Sequence, residues 1–108
     1  ITGLYRTTLA LSCASLGLDA AMVQDSDPRA KQAASKEWRE ASFARWLAQY
    51  LLNTGLGISQ ADVARAAGVT KQAVSLAMQE IELKRDDPAF DAMVTRLELI
   101  LMKARPDE

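Results

Sequence analysis

Residues 60–79 read Gln60-Ala61-Asp62-Val63-Ala64-Arg65-Ala66-Ala67-Gly68-Val69-Thr70-Lys71-Gln72-Ala73-Val74-Ser75-Leu76-Ala77-Met78-Gln79. Every position suits a helix-turn-helix, two helices crossing over a glycine bend. Val63 and Ala64 fall on one inner face, and Ala64 is small enough for the helices to cross closely. Gly68 accepts the positive φ that a sharp turn demands. Val69 is expected to bury in the turn, Thr70 to cap the second helix, and Val74 and Ala77 to dock it on the first. Lys71, Gln72, Ser75, Leu76 and Gln79 are then left facing outward, with no acid between Thr70 and Gln79. Such a face suits base edges in the major groove: Lys donates to guanine O6 and N7, Gln pairs with an adenine edge, and Ser accepts either. A plain helical hairpin uses the same small and apolar residues, so the acid-free polar face is what favours double-stranded DNA as the partner.

Working outward, Ser59 and Asp62 have the spacing of a capping box, which starts the first helix of the motif at Ser59 and ends it at Ala67. The second helix continues to about Lys84, so the motif spans 59–84. Upstream, nothing breaks a helix between Pro28 and Asn53, which predicts one long helix or two joined by a kink near Ser35. Ala30, Ala34, Trp38, Ala41, Ala44, Ala48 and Leu51 trace its apolar stripe, with Phe43, Leu47 and Tyr50 beside it. Gly55 and Gly57 end that run, and Leu56 and Ile58 are expected to plug the core. At the front, Leu4 to Leu16 reads as a helix stopped by Gly17, and Asp19 caps a short turn through Val23 that supplies Ala20, Met22 and Val23 to the interior. Asp27-Pro28 and Asp87-Pro88 each set a capping carboxylate before a proline at the first helical position. The last helix presents Phe90, Met93, Val94, Leu97, Ile100 and Leu101 and stops at Pro106. About six helices result, in one all-α domain over residues 1–108 with a long central helix.

Composition agrees. The 108 residues hold 19 Ala and 14 Leu against five Val and four Ile, a balance that favours helices over sheets. There is no His, which removes His-dependent triads and His-ligated metal sites. The single Cys13 cannot form an internal disulfide and reads as a small apolar residue, since no His activates it. Asp25, Asp27, Asp86 and Asp87 stand just before helices and read as caps rather than catalytic acids. Trp38 and Trp46 are expected in the core or facing a partner, and Met78, Met93 and Met102 in the core. No enzymatic activity, cofactor, metal or small-molecule substrate is expected.

The net charge is −1, too little for non-specific coating of nucleic acid, yet it is unevenly placed. Residues 29–85 carry nine basic and five acidic groups, whereas the segments on either side are net acidic. The apolar run around Leu9 to Ser15 is too short and too hydroxylated for an export signal, and no stretch is long enough to span a membrane, so a cytoplasmic location is expected. A first residue of Ile is expected of a piece of a longer chain.

The order of pieces resembles the C-terminal DNA-binding domain of DnaA, the bacterial chromosome replication initiator. Leu16-Gly17-Leu18 is similar to the step that ends that family's first helix. Ala44-Arg45-Trp46-Leu47-Ala48-Gln49-Tyr50-Leu51 is similar to its Ala-Arg-x-x-Ala-x-Tyr-Leu pattern, and Ala77-Met78-Gln79-Glu80-Ile81-Glu82 to the close of its recognition helix. Lys84-Arg85-Asp86-Asp87-Pro88-Ala89-Phe90-Asp91 with Leu97-Glu98 looks like small alphaproteobacterial regulators that carry the domain without the ATPase. The likeness covers roughly residues 8–101. It implies sequence-specific DNA binding and a basic loop reaching the minor groove, where this chain has Arg29 and Lys31. Thr70-Lys71-Gln72-Ala73 stands where the initiators have Asp-His-Thr-Thr, so different target bases are expected.

The expectation is therefore a transcription regulator, activator or repressor, of the kind found with phage and gene-transfer systems. Lys71, Gln72, Ser75 and Gln79 are assigned to bases. Thr70, Arg45, Arg65, Arg29 and Lys31 are assigned to the DNA backbone. A homodimer or a contact with the transcription machinery would raise the affinity of so small a module. The alternatives are a replication-associated regulator near an origin, and a protein-interaction adaptor that uses an acidic last helix with Leu99 and Met102 off its main stripe.

Overall fold

The computed structural model describes residues 2–25 and 36–104. The described residues form six helices and no strand: α1 (Thr2–Leu16), α2 (Ala20–Asp25), α3 (Lys36–Thr54), α4 (Gln60–Ala67), α5 (Lys71–Lys84) and α6 (Pro88–Ala104). The all-α class follows from the excess of Ala and Leu, and the breaks between helices follow from local chemistry. Leu18 N–H donates to the Cys13 carbonyl at 2.8 Å, closing α1 over Gly17. Asp19 Oδ1 accepts from the amides of Ala21 and Met22 and so caps α2. Asp87 Oδ1 accepts from Ala89 N–H at 3.1 Å, and α6 begins at Pro88 as its cap-plus-proline pattern predicts. The Asp27-Pro28 start, the proposed kink near Ser35, Arg29, Lys31 and Pro106 lie outside the described residues.

Helix α3 is the axis of the fold and packs chiefly on α1 and α5. Its two buried flanks serve two apolar clusters. One joins Leu9, Cys13 and Val23 to Ala41, Ala44, Ala48, Leu52, Val63 and Val74; the other joins Leu47, Tyr50 and Leu51 to Ile81, Phe90, Val94, Leu97 and Leu101. Leu16, Leu56 and Met78 pack against both, so the interior is continuous. Leu56 and Ile58 turn inward as expected, and Asn53 Nδ2 fixes their loop by donating to the Ile58 carbonyl at 2.8 Å. Gly55 is buried where α3 meets α6: a Cβ there would stand 2.9 Å from the Leu51 carbonyl oxygen and 3.3 Å from the Leu101 side chain.

Three apolar assignments are corrected. Met22, Ile100 and Met102 are exposed rather than in the core. Helix α2 has only six residues and turns Val23 inward, which leaves Met22 on its outer side. On α6, Phe90, Val94, Leu97 and Leu101 already fill the strip facing the rest of the molecule, so Ile100 and Met102 fall outside it.

Candidate nucleic-acid interface

The turn between α4 and α5 is built from caps at both ends. Ser59 Oγ accepts from Asp62 N–H at 3.2 Å, satisfying one of the free amides that begin α4. At the other end Gly68 stands at φ 71°, ψ 33°, and the Val69 N–H reaches back to the Ala64 carbonyl at 3.0 Å. This double return of Gly68 and Val69 amides onto α4 is a Schellman closure, and it fixes the direction in which the chain leaves. Thr70 then caps α5, its Oγ1 accepting from Ala73 N–H at 3.0 Å. Between the two helices Val63, Ala64, Val74 and Ala77 are buried, while Val69 is half-buried in the turn.

With that inner face committed, the outer face of α5 is set. Lys71, Gln72, Leu76 and Gln79 are exposed and Ser75 is half-exposed, so the residues expected to face outward lie along one side of the helix. Thr70 is exposed at its start; its hydroxyl oxygen is engaged as the cap but the O–H remains a donor. Arg65, on α4, has a side chain 73% exposed and pairs with Asp62 on its own helix. An exposed pair of this kind is worth about 0–1 kcal/mol, so a phosphate can draw the guanidinium away at little cost. Beyond Gln79 the character of α5 changes, and Glu80, Glu82 and Asp86 follow on the surface.

Arg45 is corrected. It is 7% exposed, and its Nη2 donates to the Val23 carbonyl at 3.4 Å, tying α2 to α3. Its guanidinium sits near Tyr5 and Cys13: burial pushes the ionisation of both up, and the positive charge of Arg45 opposes that rise. A residue so enclosed holds the scaffold instead of meeting a phosphate. The periodicity carried this signal, because Ala41, Ala48 and Leu52 stand four before, three after and seven after Arg45 on the same buried strip.

Sequence reasoning also passed over Arg85, which caps α5 and binds three helices together. Its Nε donates to Asp91 at 2.5 Å, its Nη1 to Glu98 at 3.1 Å and to the Tyr50 hydroxyl at 3.1 Å, and its Nη2 to Thr95 at 2.8 Å. Tyr50 in turn donates to Glu82. Partial burial of Arg85 would lower its basicity, but the bonds to Asp91 and Tyr50 and the charge of Glu98 outweigh this and raise it. Tyr50 is pushed up to about 12, by burial first and by its bond to Glu82 second. Asp91, Thr95 and Glu98 recur at the spacing of one helical face, a polar strip along α6 that could have marked the cluster.

A separate groove of about 430 Å³ lies between the end of α1 and the start of α3, lined by Leu16, Leu18, Trp38, Phe43 and Trp46 among others. It shares no residue with the outer face of α5, and Trp38 and Trp46 are half-buried beside it. No helix among the described residues is long and apolar enough to cross a membrane. No protein-family model matches the chain, and neither a curated protein nor a solved structure matches it.

Proposed function

We propose that this chain binds specific double-stranded DNA, with α5 entering the major groove, and acts as a transcription regulator. The observation that carries the reading is the exposed, acid-free surface from Lys71 to Gln79 on a helix whose opposite side is locked inside. Lys71, Gln72, Ser75 and Gln79 meet base edges there, donating to guanine or pairing with adenine. Thr70 and Arg65 bond the flanking phosphates, and Arg29 and Lys31 extend the footprint. The resemblance to the DnaA DNA-binding domain supports the same assignment, with a different first turn of the recognition helix and hence a different site.

Selection from a random duplex library, followed by salt titration on the winning sequence, tests this directly. A defined sequence should emerge and its affinity should fall with salt. Lys71→Ala or Gln72→Ala should cost about 1–3 kcal/mol on that site and relax base choice at one position. No enrichment, or an affinity indifferent to salt, overturns the proposal.

A second reading rests on α6, where Leu99 and Met102, three residues apart, stand exposed on one side near its end. As a protein-interaction adaptor, the chain would use this face, and the two α5 substitutions would leave partner binding intact.

A further inference from the structure

We infer that Leu76 reads the 5-methyl group of a thymine, so that the target site of α5 contains a thymine whose methyl, and not only its hydrogen-bonding edge, is recognised. The inference rests on the reading of α5 as a recognition helix. Leu76 is 61% exposed and belongs to neither apolar cluster, while Val74, Ala77 and Ile81 of the same helix are buried. Among the described residues it thus belongs to no apolar core and stands largely in the open, in the middle of the surface bounded by Lys71, Gln72 and Gln79.

Helix α5 has a second exposed leucine in different surroundings. Leu83 is 67% exposed, but it borders a shallow groove with Glu82 and Asp86, next to Glu80. Three carboxylates there repel a phosphate backbone, which puts Leu83, beyond Gln79 in the same groove, at the acidic end of the surface. Leu76 has Gln72 one turn before it and Gln79 one turn after, and the first carboxylate on its side of the helix is Glu80, four residues on towards the C-terminal end. Among the atoms that base pairs expose in the major groove, the thymine methyl is the apolar one, and it is the natural contact for an aliphatic side chain between hydrogen-bonding neighbours. At about 1.5 Å of rise per residue, Leu76 lies about 6 Å from Gln72 and about 4.5 Å from Gln79 along the helix. With bases about 3.4 Å apart along a strand, its thymine falls within about two steps of the bases those amides read.

The test replaces each thymine of the selected duplex, one at a time, by deoxyuridine, which removes only the methyl. Binding of the full chain, Leu76→Ala and Leu83→Ala is then measured. One substituted position should weaken the wild-type protein about fourfold, the effect of burying one methyl-sized group, about 0.8 kcal/mol. Leu76→Ala should bind the unmodified site more weakly and should no longer distinguish thymine from deoxyuridine at that position. Leu83→Ala should behave as wild type. Melting temperatures equal to wild type confirm that both variants are folded, as expected at exposed positions. A selected site without thymine, a wild-type protein insensitive to every replacement, or the same sensitivity in Leu76→Ala overturns the inference while leaving DNA recognition by α5 standing. Failure to enrich any sequence overturns both.

Discussion

A methyl group added at Gly68 would meet no atom within 4 Å, yet the backbone there stands at φ 71°, where an L side chain crowds its own carbonyl. Gly55 presents the converse: a Cβ collides with the Leu51 carbonyl and leans on Leu101. Gly68→Ala should therefore cost about 1–2 kcal/mol through the conformation of the turn. Gly55→Ala should cost about 1–3 kcal/mol through overpacking against α6. Urea denaturation measures both. Relief by a second substitution distinguishes them, since Leu101→Ala should recover part of the loss at Gly55 and none at Gly68. Tyr50 supplies a residue-scale prediction in pH. Its ionisation is raised to about 12 in the fold from the ordinary value of about 10. The unfolded chain therefore releases the proton first, and the stabilisation, complete below pH 10, drains away as pH climbs towards 12. Wild-type protein should lose more stability between pH 9 and 11.5 than Tyr50→Phe, followed by denaturant midpoints at each pH.

At the scale of elements, the end of α5 is fastened by Arg85. Arg85→Ala would leave Asp91 and Glu98 without their cation and should cost about 2–3 kcal/mol in chemical denaturation. The boundaries of α4 and α5 were legible in the sequence because caps are local. Ser59, Gly68 and Thr70 declare their roles through the two or three residues beside them. Arg85 and Arg45 were not legible in the same way, because their partners come from distant parts of the chain. The bonds of Arg85 to Glu98 and Tyr50 bridge 13 and 35 residues. The bond of Arg45 to Val23 bridges 22. Periodicity offered a buried strip of α3 around Arg45 and a polar strip of α6 opposite Arg85, yet neither strip names the partner it takes. Ile100 shows the opposite error. Its spacing places it beside Leu97 and Leu101, and only the width of the surface beneath α6 decides that it stays outside.

For the molecule as a whole, the sparse positive charge sets how the proposed DNA binding should respond to salt. Between one and four cations at the DNA, drawn from Arg65, Arg29 and Lys31 at the backbone and Lys71 at a base edge, give a slope of log affinity against log salt of about −1 to −4. A slope steeper than about −5 would require cations beyond these. Affinity titrations between about 50 and 200 mM salt measure it. The enclosed thiol of Cys13 has a use at this scale. It is fully covered where α1 meets α3, and burial pushes its ionisation up, so alkylating reagents should ignore the native protein. Uptake of label then times the excursions in which α1 lifts away, giving a stopwatch for opening built into the chain, readable by mass spectrometry with and without DNA.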